Sequence, residues 1–127
     1  MPNMWVSTGL GLALIVAAGP AFAAEKTGRF SGVAAYYDKN YHGRTAAGEQ
    51  YDPGKFTAAH RTLPFGTRLK VTDRKSGRSV EVVVNDRGPF TRGRVLDLSL
   101  AAAKALHMLD RGLARVTAEV ETATVRP

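Results

Sequence analysis

Four carboxylates occupy irregular places in this 127-residue chain: Glu49, Asp52, Asp86 and Asp97 sit beside glycines, prolines or aromatics. Such positions are where a scaffold presents functional side chains. The other acids considered, Asp73, Glu81, Asp110, Glu119 and Glu121, fall in expected turns, on exposed strand faces or at a helix end, and read as solvated surface. Asp86 closes the run "VVVND". A carboxyl partly desolvated at the end of an apolar strand suits a general acid. Asn85 and Arg87 flank it and are placed to position a substrate or balance charge. The following "DRGP" equally fits a turn that Asp86 starts by bonding its own backbone. Asp97 has a structural role available, capping a helix together with Ser99 or pairing with Arg92 or Arg94. His60, between "FTAA" and "RTLPFG", is suited to orienting a carboxylate, contacting a sugar or a purely structural bond. His42 lies in a loop, and His107 is expected in mid-helix.

His42, Glu49, Asp52 and His60 are of zinc-ligand type, but there is no HExxH, no closely spaced His pair and no cysteine. No metal or other cofactor is expected. GxSxG and the P-loop are also missing, and a chain without cysteine has no thiol nucleophile. Carboxylate chemistry remains, and its commonest exported use is glycoside cleavage, in which one acid protonates the bridging oxygen.

The elements that must hold these residues are mostly strands. "GVAAYYD", Gly32 to Asp38, reads as the first. Lys39 to Lys55 has little periodicity, a length more typical of a functional loop than of a connector. "TRLKVTD" and "RSVEVVVN" alternate around "RKSG" and make a β-hairpin, with Leu69 and Val71 on one face of the first strand and Val80, Val82 and Val84 on one face of the second. Ser99 is a good N-cap for "LAAAKALHML", where Ala102, Leu106 and Leu109 recur at helical spacing, and Gly112 suits the helix end. "LARVTAEVE" alternates again and turns Val116, Ala118 and Val120 inward. A small closed barrel explains how so short a chain without disulfides removes its strand edges.

Residues 1–23 read as a secretory signal: an apolar run from Val6 to Ala18, then Gly19-Pro20 and the small-x-small Ala21-Phe22-Ala23. Residues 24–31 are expected as a short linker, 32–121 as one domain and 122–127 as a tail. All 18 Lys and Arg follow the signal, against 11 Asp and Glu, so the exported part carries the net charge of +7. Such a surface either seeks an anionic polymer or keeps the protein soluble. Export argues against nucleic acid, and without cysteine no lipid anchor is expected. The reading is a soluble monomer of the periplasm or cell-wall space.

The run "YHGRTAAGEQYD…FTAAHRTLPFGTRLKVT…GRSVEVVVNDRGPFTRGRVLDLSLAAAKAL" resembles the rare lipoprotein A (RlpA) family. The resemblance extends from Gly32 to about Val120. It implies a mainly β fold, a six-stranded double-psi β-barrel with one or two short helices, and endolytic transglycosylase activity on peptidoglycan strands poor in stem peptides. Motif by motif, the family's "GE" acid falls on Glu49, its "YD" acid on Asp52, its "AAH" histidine on His60 and its "NDRGPF" acid on Asp86. The last motif is also similar to that of membrane-bound lytic transglycosylase A, where the matching Asp is the catalytic acid. The resemblance thus implies Asp86, Glu49 and His60 as catalytic residues. Asp52, Tyr37, Arg44, Asn85 and Arg87 are the expected substrate contacts. Where the family commonly has "ASWYG", this chain has "AAYYD", with Tyr36 for the Trp and Asp38 for the Gly. Many members carry a C-terminal SPOR domain that binds denuded glycan at the division septum. No such segment appears before Pro127, so location at the septal ring is not carried over.

The expected reaction cleaves the β-1,4 bond between N-acetylmuramic acid and N-acetylglucosamine and leaves a 1,6-anhydro end. Two rivals stay open: an inverting hydrolase using Glu49 or Asp52 to activate water, and a non-catalytic wall-binding or wall-loosening module of the expansin type.

Overall fold

The computed structural model describes residues 28–122. The expected signal segment and the first half of the linker, residues 24–27, lie outside these residues, as does the tail beyond Thr122. Six strands and one helix follow in order: β1 (Arg29–Tyr36), β2 (Thr57–Ala59), β3 (Arg68–Asp73), β4 (Ser79–Asp86), β5 (Arg94–Leu98), α1 (Leu100–Ala105) and β6 (Ala114–Thr122). The strands close into a barrel in the order β1-β5-β2-β4-β3-β6. Two neighbours, β1 with β5 and β2 with β4, run parallel, and the other pairings are antiparallel. This is the six-stranded double-psi barrel that the family resemblance implied.

Alternation in the sequence becomes alternation about the barrel wall. Leu69 and Val71 of β3, Val82 and Val84 of β4, Leu96 and Leu98 of β5, and Val116 and Ala118 of β6 are all buried in one core. Truncating one of its leucines to Ala would cost about 2–5 kcal/mol. Gly32 marks a close crossing of β1 and β5, since a Cβ there would lie 2.5 Å from a methyl of Val95. Among the described residues no helix is long and apolar enough to cross a membrane.

Both ends of the domain reach further than expected. Arg29, Phe30 and Ser31, read as linker, pair with Glu119, Ala118 and Thr117 of β6. Phe30 packs against the core, which draws this polar-flanked stretch into the sheet. Thr122, read as tail, pairs with Arg68.

The helix is shorter than its apolar spacing predicts. Ser99 caps it as expected, its hydroxyl accepting from Ala102 N–H at 3.2 Å. The same oxygen accepts from Thr57 N–H, which ties the helix to β2. The helix then ends at Ala105. His107 adopts a left-handed backbone (φ 57°), and Met108 N–H turns back to the Ala103 carbonyl at 3.1 Å. His107 N–H meets the Lys104 carbonyl, so the end is a Schellman turn in the position glycine usually takes. Met108 fills the core and Leu109 stays 37% exposed.

Asp73 is not the solvated turn residue expected. It has no exposed surface. Arg111 bonds it at 2.6 Å, and the Ser76 hydroxyl and Lys75 N–H complete the site. The Arg111 guanidinium, aided by these two bonds, overcomes the opposing effect of burial and holds the Asp73 carboxyl down at about 2.

Candidate active site

Asp86 is the last residue of β4, and its position is fixed by the parallel neighbour β2. Ala59 pairs with Asp86 across a register shift, and His60 N–H donates to the Asp86 carbonyl at 3.1 Å. The half-buried carboxylate receives three donors. Oδ1 accepts from Ala46 N–H at 2.7 Å and from Arg87 N–H at 2.9 Å, while Oδ2 accepts from the Tyr37 hydroxyl at 2.5 Å. The bond to Arg87 N–H reaches only the adjacent residue, and residues 87–90 form no hydrogen-bonded turn, so the turn that "DRGP" suggested does not form there; the contact orients the acid instead.

The two oxygens differ chemically. Oδ1 faces only N–H groups, which donate and never accept. Oδ2 faces a hydroxyl, which does either. A proton on Asp86 therefore has one compatible place, Oδ2, where the Tyr37 oxygen becomes the acceptor. Burial first, then the hydrogen bond to Asp86 and the negative charges of Asp86 and Asp97, hold the Tyr37 phenol far above its ordinary value. Tyr37 thus keeps its proton and remains able to act in both directions. Its ring is stacked on Tyr51 with centroids 4.4 Å apart and 14° between planes, and Tyr41 packs against both. Tyr51 is buried, and its oxygen accepts from Leu100 N–H at the start of α1.

The aperiodic stretch after β1 is an ordered loop with its own turns. Gly48, in the left-handed region (φ 100°), lets the chain reverse, so that Arg44 bridges to Gln50 and Thr45 N–H meets the Glu49 carbonyl. Arg44 is exposed, and one of its guanidinium nitrogens bonds the Gly48 carbonyl. The loop is pinned to β4 at consecutive residues: Ala46 N–H on Asp86, Ala47 N–H on the Asn85 carbonyl, and Asn85 Nδ2 on Glu49 Oε1 at 2.9 Å. Glu49, Asp52, Lys55, Thr57 and Asn85 line a cleft of about 450 Å³. Asp52 is exposed there, with one oxygen accepting from Gly54 N–H.

His60 and Arg87 stand on a different wall. His60 Nδ1 accepts from Thr62 and Leu63 N–H at 3.1 and 3.0 Å, and its ring meets Phe30 edge-on. Burial, with the positive charges of Arg61 and Arg87, lowers the imidazole from its ordinary value. The neutral ring therefore carries its proton on Nε2. Arg87 spends one guanidinium nitrogen on the His60 and Leu63 carbonyls and lies 4.0 Å over the Phe65 ring. Asp97 pairs with Arg94 at 2.9 Å, one of its anticipated roles, while Ser99 does the capping.

The candidates thus form an acid with its phenol (Asp86, Tyr37), a polar cleft (Glu49, Asn85, Asp52) and a buttressing corner (His60, Arg87). Among the described residues, no three acidic or imidazole side chains gather as a metal would require. Tyr41, Tyr51 and the Ala46 N–H were not anticipated. The spacing of "YYD", "Y" and "GEQYD" does signal tyrosines on both sides of the loop, but not that their rings meet.

Comparison with known proteins agrees with this architecture. Residues 29–118 match the family model described as lytic transglycolase. A curated protein of a Nostoc species, named "Probable endolytic peptidoglycan transglycosylase RlpA", is 55% identical over 94 residues, covering 72% of this chain and 25% of that protein. The chain spans about a quarter of the length of the first curated relatives it matches. Among solved structures, the Streptomyces papain inhibitor is similar at 28% identity with a TM-score of 0.58, over 72% of this chain and 92% of the inhibitor. An expansin of Clavibacter michiganensis is similar at 25% identity and TM-score 0.58, over 78% of this chain and 53% of the expansin.

Proposed function

The chain belongs to the lytic transglycolase family, and on that premise we propose that its barrel cleaves peptidoglycan glycan strands non-hydrolytically, outside the cytoplasm. The observation that carries this reading is the single half-buried carboxylate at the end of β4, with a reversible hydroxyl partner on one oxygen and fixed N–H donors on the other. Asp86, protonated on Oδ2, donates to the oxygen bridging N-acetylmuramic acid and N-acetylglucosamine. The bond to C1 breaks, and the C6 hydroxyl of the muramic residue attacks C1. Its proton returns to Oδ2, so the acid is regenerated and a 1,6-anhydro end forms with no water consumed. Glu49, held by Asn85 on the cleft wall, offsets the positive charge that develops at C1. His60 Nε2–H, which makes no hydrogen bond among the described residues, contacts a sugar oxygen. Strands poor in stem peptides suit this cleft, which Asp52 lines.

Incubating the protein and an Asp86→Asn variant with intact and with amidase-stripped peptidoglycan tests this. Anhydro-muramic ends are expected from the unmutated protein alone. Ends heavier by one water would make it a hydrolase. The likeness to an expansin favours a second reading, a wall-binding module without turnover. That reading predicts that both proteins pellet with the wall and neither releases product.

A further inference from the structure

We propose that the groove between the β3–β4 turn and the start of β6 docks on an anionic bilayer surface. The groove, about 450 Å³, is lined by Arg74, Lys75, Arg111, Leu113, Ala114 and Arg115. Arg111 is committed to buried Asp73, whose carboxylate also fixes the turn through Ser76 and Lys75. Arg74 N–H bonds the Arg115 carbonyl at 2.9 Å, clamping the turn to β6. Three cations, Arg74, Lys75 and Arg115, are thereby presented from a rigid frame, and none forms an ion pair among the described residues. No acidic side chain lines the groove. Charge complementarity calls for phosphate-bearing groups. Leu113 selects among their sources: half exposed (51%) amid the cations, it gains nothing from a soluble polyanion but enters the headgroup boundary of a bilayer.

The groove shares no lining residue with the cleft. Along β4, the turn and Asp86 are separated by the whole strand, about 25 Å at ~3.3 Å per residue. Docking thus leaves the candidate acid uncovered.

The test is co-sedimentation of the Ala24–Pro127 chain, which contains the entire closed barrel, with vesicles of phosphatidylcholine alone or mixed with phosphatidylglycerol. Binding is expected only with the mixed vesicles and falls with added salt. Replacing Arg74, Lys75 and Arg115 together by Ala weakens it about a hundredfold, at about fivefold per cation. Leu113→Ser weakens vesicle binding while leaving retention by soluble polyphosphate unchanged. Circular dichroism melts establish that each variant folds. Undiminished vesicle binding by the folded triple variant would overturn the proposal. So would polyphosphate binding as tight as vesicle binding with no effect of Leu113→Ser, which would mark a soluble-polyanion site instead.

Discussion

The Tyr37 hydroxyl lies 2.5 Å from Asp86 Oδ2, although the two residues are 49 positions apart in the chain. It is the only one of the carboxylate's three observed partners able to reverse its hydrogen bond. Tyr37→Phe keeps the stack on Tyr51 but removes that partner. Turnover should fall about tenfold to a hundredfold with KM little changed, as expected when an interaction of the reacting proton is lost. Initial rates on amidase-stripped glycan measure this. An unchanged rate would remove Tyr37 from the proton's path.

Asp73 and Arg111 should dominate the acid limb of stability. The Asp73 carboxyl is held near 2, below its ordinary 3.8. A depressed carboxyl contributes above the unfolded value and loses that contribution as pH falls through the folded one. Asp73→Asn should cost about 2 kcal/mol at neutral pH, at 1.36 kcal/mol per unit. The gap to the unmutated protein should shrink between about pH 4 and pH 2. Urea midpoints across that range check both statements.

His60 acts in a different window. Its imidazole is lowered by burial and by Arg61 and Arg87, so charging it opposes folding. The neutral ring therefore contributes stability above the unfolded value of about 6.5, and this is lost as pH falls through the lower folded value. His60→Gln should reduce stability at pH near 8 and flatten its decline on the acid side. A variant with the original slope would show that another group titrates there.

His107 takes a left-handed conformation that costs a non-glycine residue about 1–2 kcal/mol. His107→Gly should raise stability by about 0.5–1 kcal/mol, after allowance for the greater freedom of glycine in the unfolded chain. The exposed imidazole makes no side-chain hydrogen bond among the described residues, so activity should not move. Denaturant midpoints and rates measured together decide it.

Local features of the fold were legible in the sequence. The alternation of "TRLKVTD" and "RSVEVVVN" places Leu69, Val71, Val82 and Val84 correctly because strand period and burial are set within one hairpin. The Ser99 cap was legible for the same reason. The helix end was not, because Leu106 and Leu109 continue the period and no glycine or proline marks the reversal at His107. Asp73 was misplaced because its partner Arg111 lies 38 residues away. The same holds in the site. Glu49, Asn85 and Asp86 stand out one by one, but the Glu49–Asn85 contact spans 36 residues. Such contacts exist only once the barrel has brought the loop onto β4.

The pinning of Ala46, Ala47 and Glu49 onto Asn85 and Asp86 has a consequence for protein engineering. The loop is part of the mount of the acid, so it is not an independent cassette that can be exchanged to alter specificity. A chimaera that imports residues 38–56 from a distant relative keeps its acid aligned only if the graft brings the matching Asn-Asp pair with it. Libraries should randomise the two segments jointly, because a change in loop length of a single residue between Arg44 and Tyr51 would move the donor away from Oδ1.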